Sequence, residues 1–187
     1  MNLKASKETY IAFLRGINVG GHHKVPMADL RKEMEILGYK NVLTLLNSGN
    51  VIFDATCDDT EKLEKILSEH LEKSFGFPVP TILRRSEMIC GLVNNRPFKN
   101  IICTKETRLY VSFLRKHMQP RLKIPWESQD NSFRIIEIKE KTVFSVLDLS
   151  ISKTPKSMEA LERYFGKDIT TRNWNTIERI GEKIIAS

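Results

Sequence analysis

Tyr10 to Lys24 reads Y-I-A-F-L-R-G-I-N-V-G-G-H-H-K. It opens as a strand and closes as a glycine loop. Tyr10, Ala12 and Leu14 point to one face, Ile11 and Phe13 to the other, because side chains alternate along a strand. Both sets are apolar, so the strand is expected to be covered on both sides. Arg15 ends it. Gly16, Gly20 and Gly21 then permit backbone angles closed to other residues. Pro26 suits the first turn of a helix, whose apolar stripe is Met27, Leu30, Met34 and Leu37. Gly38 stops that helix.

The same logic runs outward. Asn41 to Leu46 and Val51 to Asp54 are strands, joined by the turn Asn47-Ser48-Gly49-Asn50 as an antiparallel hairpin. Asp58 or Asp59 caps a helix with the stripe Leu63, Ile66, Leu67 and Leu71. Gly76 and Pro78 end it, and Val79 to Leu83 is a further strand. The first 85 residues thus read strand, helix, strand, strand, helix, strand, the split βαβ or ferredoxin-like order.

Ser86 to Asn95 reads as a short helix, after which the pattern restarts. Tyr110-Val-Ser-Phe-Leu-Arg115 repeats Tyr10-Ile-Ala-Phe-Leu-Arg15 at an offset of 100 residues. Phe133 to Ile138 and Thr142 to Leu147 form a second hairpin with Glu140-Lys141 at its tip, and Ser157 to Phe165 a second helix. The crossover Lys116 to Asp130 contains Pro120 and Pro125 and reads mostly as loop. After the last helix of the repeat no fourth strand is legible. Thr170 or Thr171 instead reads as the cap of a terminal helix carrying Ile177, Ile180 and Ile184. The expected fold is α+β: two ferredoxin-like halves in tandem with an extra C-terminal helix. The expected boundaries are 1–85, a helical connection 86–105, and 106–187, forming one compact unit.

Three motifs stand together: R-G-I-N-V-G-G at 15–21, S-G-N-V-I-F at 48–53 and R-N-W-N-T at 172–176. With K-V-P-M-A-D-L-R at 24–31 they resemble the bacterial domain-of-unknown-function family 1697 over nearly the whole chain. The resemblance implies two ferredoxin-like halves and no assigned activity. Asn47 stands where that family usually carries glutamine, keeping the amide chemistry with a shorter reach.

Among 187 residues, 41% are hydrophobic and 28% charged, the composition of an ordinary globular protein. No apolar run nears the roughly 20 residues that span a bilayer, and the polar N-terminus lacks a signal peptide's core, so a cytoplasmic protein is expected. Cys57, Cys90 and Cys103 lack metal or disulfide spacing and read as reduced thiols. Cys90, in an apolar stretch, is expected to be buried and inert. The net charge is +7, and Arg84 to Lys123 alone holds ten Lys/Arg against Glu87 and Glu106, hence +8. Such a region either attracts nucleic acid or a phosphorylated ligand or is a solvated surface; Arg115, Lys116, Arg121 and Lys123 are its candidate contacts.

The loop from Arg15 to Pro26 is either a tight structural turn or an anion site. In the second reading Arg15, Asn18, Gly20, Gly21 and Lys24 meet the positive end of a helix. It matches neither a Rossmann fingerprint nor a P-loop, so no cofactor is expected. Ser48 and Asn50 either make the hairpin turn or face a ligand. Arg172, Asn173, Trp174 and Asn175 either anchor the terminal helix or offer a phosphate contact and a stacking face. His22-His23 has no acid or thiol at ligand spacing, so no metal is expected. No catalytic constellation is legible. Three functions remain open: nucleic-acid binding; an enzyme acting on a small phosphorylated or nucleotide-like molecule, with His22 or His23 as acid/base; and an adaptor without ligand. The sequence leaves the oligomeric state open.

Overall fold

The computed structural model describes residues 7–56, 59–118 and 122–186. Among these the fold is mixed α+β, with two antiparallel sheets and five helices. The chain divides into two compact units, Met1–Gly91 with Ile180–Ser187, and Leu92–Arg179. Both divisions fall inside helices, one between Gly91 and Leu92, within the stretch 86–105, and one between Arg179 and Ile180.

The first unit holds β1 (Lys7–Leu14), α1 (Met27–Ile36), β2 (Lys40–Leu45), β3 (Asn50–Thr56), α2 (Thr60–Phe75) and β4 (Thr81–Arg85). Its sheet runs β2-β3-β1-β4. β1 is central, pairing Phe13 with Asn50 of β3 and Leu14 with Thr81 of β4. Tyr10, Ala12 and Leu14 pack in a core with Leu30, Met34, Leu63, Leu67 and Leu71. Ile11 and Phe13 are fully buried as well, so both faces of β1 are covered. Asp59 caps α2 by accepting the Glu61 N–H at 3.1 Å. Ile66 departs from its expected stripe and is exposed, since the buried turns at Leu63, Leu67 and Leu71 already define the inward face. Pro26 sits at the N-cap of α1, one place before its first turn.

α3 (Ser86–Asn95) follows β4 without a loop. The second unit then holds β5 (Thr107–Leu114), β6 (Trp126–Glu127), β7 (Phe133–Lys139), β8 (Thr142–Asp148), α4 (Thr154–Phe165) and β9 (Ile169–Asn173). α5 (Trp174–Ile185) begins where β9 ends. The sheet order is β6-β7-β8-β5-β9. Its core joins Tyr110, Leu114, Phe133, Val143, Leu147, Leu161 and Phe165.

β9 corrects the sequence reading. Thr170 and Thr171 do not cap a helix; they pair with Phe113 and Ser112 of β5. Their hydroxyls bond within the sheet, Thr171 Oγ1 lying 2.8 Å from Ser112 Oγ. Threonine's branched Cβ suits a strand, but its polarity hides the alternation that marks one. No described helix is long and apolar enough to cross a membrane.

Candidate functional site

The glycine loop of the first unit folds back on itself. Asn18, held at φ 56°, donates its backbone N–H to His23 O at 3.1 Å. Its side-chain amide donates to Val25 O (3.0 Å) and Asn47 O (2.9 Å) and accepts the Val25 N–H at 2.8 Å. One carboxamide therefore ties the loop's end to the β2–β3 turn, and Asn18 has little left for a ligand. His23 Nδ1 lies 3.2 Å from Gly16 O, and its ring stacks on Phe77 at 4.4 Å. A shallow groove of about 440 Å³ lies alongside, lined by Asn18, Gly21, Lys24, Val25, Met27 and Asn47 among others. Arg15, Gly20, Ser48 and Asn50 do not line it. Asn50 is fully buried, and its amide donates to Leu45 O and Ser48 Oγ within the turn.

A second cavity, of about 470 Å³, lies wholly in the second unit. Its wall includes Thr107, Arg108, Asn173, Asn175, Thr176 and Arg179, and no carboxylate among the described residues lines it. Arg108 Nη1 donates to Lys105 O (2.8 Å) and Thr107 O (2.9 Å), which fixes the guanidinium without neutralising it. Arg179 is exposed, and its side chain, like those of Asn173 and Asn175, bonds to no other described residue. Donors without protein acceptors thus converge on one space.

The R-N-W-N-T motif is split by the junction between β9 and α5. Asn173 and Asn175 face the cavity. Trp174 is buried and meets Phe98 edge to face at 5.3 Å, so it is an anchor and not a stacking face. Arg172 does not line the cavity; its Nη1 donates to Thr170 Oγ1 (2.8 Å) and Thr171 O (2.9 Å). Burial pulls its pKa down to about 10, which leaves it protonated at neutral pH. Arg108 and Arg179 were not singled out from sequence. Their available signal was spacing: Asn175 and Arg179, four apart on a helix, share one face.

The basic run does not form one free surface. Arg84 is buried and donates to Leu83 O at 2.7 Å. Arg85 pairs with Glu8 at 2.5 Å and lies 5.9 Å over the Tyr10 ring. Arg115 faces Asp168, with Nε 3.9 Å from Oδ1. Lys116 and Lys123 are exposed, while Arg121 and Cys57 lie outside the described residues. Cys90 is half-buried rather than buried, and Cys103 is exposed at the rim of the second cavity. No group of three or more described His, Cys, Asp or Glu residues could hold a metal ion.

A family model described as "Protein of unknown function (DUF1697)" matches residues 8–144. No curated protein matches the chain. Among solved structures, the conserved bacterial protein SP0830 from Streptococcus pneumoniae is similar, with a TM-score of 0.71 and 26% identity over 96% of this chain and 99% of that one.

Proposed function

Because the chain belongs to the DUF1697 family, whose description names no activity, we propose a function from its own geometry: it binds a small phosphate-bearing ligand in the cavity between Arg108 and Arg179. The observation that carries this reading is the pair of guanidiniums with no carboxylate among the described residues of the cavity wall. Guanidinium matches phosphate with two parallel N–H donors. Arg108 is held in place by two carbonyls, so little of its freedom is lost on binding. Asn175 and Thr176 stand in the first turn of α5, whose positive dipole end favours an anion.

Thermal melting in pyrophosphate tests the reading. At a ligand concentration about a hundredfold above Kd, binding adds roughly 2.7 kcal/mol, a rise of about 5–10 °C for a chain of this size. Arg179→Ala should abolish the rise without altering the unliganded melt, since Arg179 bonds to no described residue. An unchanged wild-type melt in millimolar pyrophosphate ends the reading.

Nucleic-acid binding is the second reading, supported by the exposed Lys116 and Lys123. The local partners of Arg84, Arg85 and Arg115 weaken it.

We further propose that the two units are tandem copies of one split βαβ unit in a cytoplasmic protein. Support comes from the parallel sheet orders, β2-β3-β1-β4 and β7-β8-β5-β9. The repeated Tyr10–Arg15 and Tyr110–Arg115 strands occupy the same place in each. Each final strand also runs directly into a helix, and each pairs an arginine, Arg84 or Arg172, with the residue after the repeated tyrosine.

A further inference from the structure

We infer that the ligand of the Arg108–Arg179 cavity is a phosphorylated sugar or polyol rather than a nucleotide; this rests on the phosphate reading above. Among the described residues no aromatic side chain lines the cavity, and Leu109 is the only aliphatic one. A nucleobase would therefore find no ring to stack on, and stacking is the main source of sequence-tolerant base affinity. What the wall offers instead is hydroxyl chemistry. Every sugar hydroxyl is both donor and acceptor, and a carboxamide presents a donor and an acceptor side by side. Asn173 and Asn175 supply two such groups with no other described partner.

Their placement is fixed. Trp174, between them, is buried against Phe98 and pins the junction of β9 and α5. Asn173 is further held by its pairing with Tyr110. Arg179 lies one turn beyond Asn175 on the same face of α5. The phosphate thus takes the guanidiniums of Arg108 and Arg179, and the hydroxyls take the carboxamides. A ligand that carries these hydroxyls gains hydrogen bonds that bare phosphate does not.

Calorimetric titration of the full chain at low salt with inorganic phosphate, ribose 5-phosphate and AMP tests this. Ribose 5-phosphate should bind about tenfold tighter than inorganic phosphate, the return on two added hydrogen bonds. AMP should bind no tighter than ribose 5-phosphate. In the Asn173→Ala/Asn175→Ala double variant the tenfold ratio should fall to about one; both side chains are exposed, so the fold should survive. Equal binding of phosphate and ribose 5-phosphate by the wild type overturns the inference and leaves the phosphate reading standing. So does a tenfold preference for AMP, or an unchanged ratio in the double variant. If none of the three binds, the phosphate reading itself fails and the inference with it.

Discussion

Glu64 Oε1 accepts the backbone N–H of Leu83 at 2.8 Å. Glu64 belongs to α2 and is 2% exposed, while Leu83 lies in β4, an edge strand of its sheet. A carboxylate from the covering helix thus does what a neighbouring strand would otherwise do: it satisfies a buried edge donor. Glu64→Ala should cost about 1–3 kcal/mol by leaving that N–H unpaired. Glu64→Gln keeps an amide oxygen in reach and should lose clearly less. Urea denaturation of the two variants decides; equal losses would remove the bond as the cause.

Gly49 and Gly21 share a left-handed backbone but not a neighbourhood. A Cβ on Gly49 would come within 2.7 Å of Leu14 Cβ and 2.8 Å of Ile17 Cδ1, whereas one on Gly21 meets open space. Gly49→Ala should therefore combine backbone strain with overpacking, roughly 2–5 kcal/mol. Gly21→Ala carries the strain alone, about 1–2 kcal/mol. Matching losses in thermal or denaturant melts would contradict the clash.

Asp130 joins α4 to the β6–β7 turn. It accepts from Lys156 Nζ at 2.7 Å, from Ser128 Oγ at 2.7 Å, and from the Ser132 hydroxyl and N–H. The Lys156 bond first, then the serines, hold its carboxyl well below the usual aspartate range. A pKa depressed on folding stabilises the native state above the unfolded value near 4. That contribution drains away as the pH falls from there through the native pKa. Wild-type stability should accordingly drop below about pH 4, and Asp130→Asn should lose the part of the drop that this carboxyl supplies. Superimposable pH–stability curves for wild type and variant would refute the assignment.

Nucleic-acid binding makes a separate prediction. A single-stranded oligonucleotide held by Lys116 and Lys123 should lose affinity with a log–log salt slope of about 0.7 per phosphate contacted. Replacing both lysines with alanine should flatten that slope by roughly 1.4. Replacing Arg115 should instead disturb its contact with Asp168. Absence of any gel retardation by the wild type at about 50 mM salt and micromolar protein removes the reading.

Much of the fold was legible because apolar spacing carries it. β1 declares itself by filling both faces, and α2 by Leu63, Leu67 and Leu71. β9 was not legible, because threonines at two successive strand positions look like capping residues until Ser112 and Phe113 are placed beside them. The candidate cavity was half legible. Asn173 and Asn175 were marked by a motif and Arg179 lies one helical turn beyond it, but Arg108 reaches the same space from a strand distant in sequence. The motif's tryptophan read either as an anchor or as a stacking platform, and its packing against Phe98 turns it inward. The basic run was legible only as a count. Charge counted along the chain ignores acids brought from elsewhere, such as Glu8 and Asp168.

The division of α5 between the units bears on how the chain matures at the ribosome. Ile180 is fully buried, and Ile180–Ser187 belongs to the unit whose main body ends at Gly91. Domains ordinarily fold from the N-terminus as synthesis proceeds at about 5–20 residues per second. Here the N-terminal unit lacks a piece of itself while some ninety further residues are translated, a wait of roughly 5–20 s. Nascent chains stalled just after Gly91 should stay protease-sensitive, and release of the segment carrying Ile180 should complete both units together.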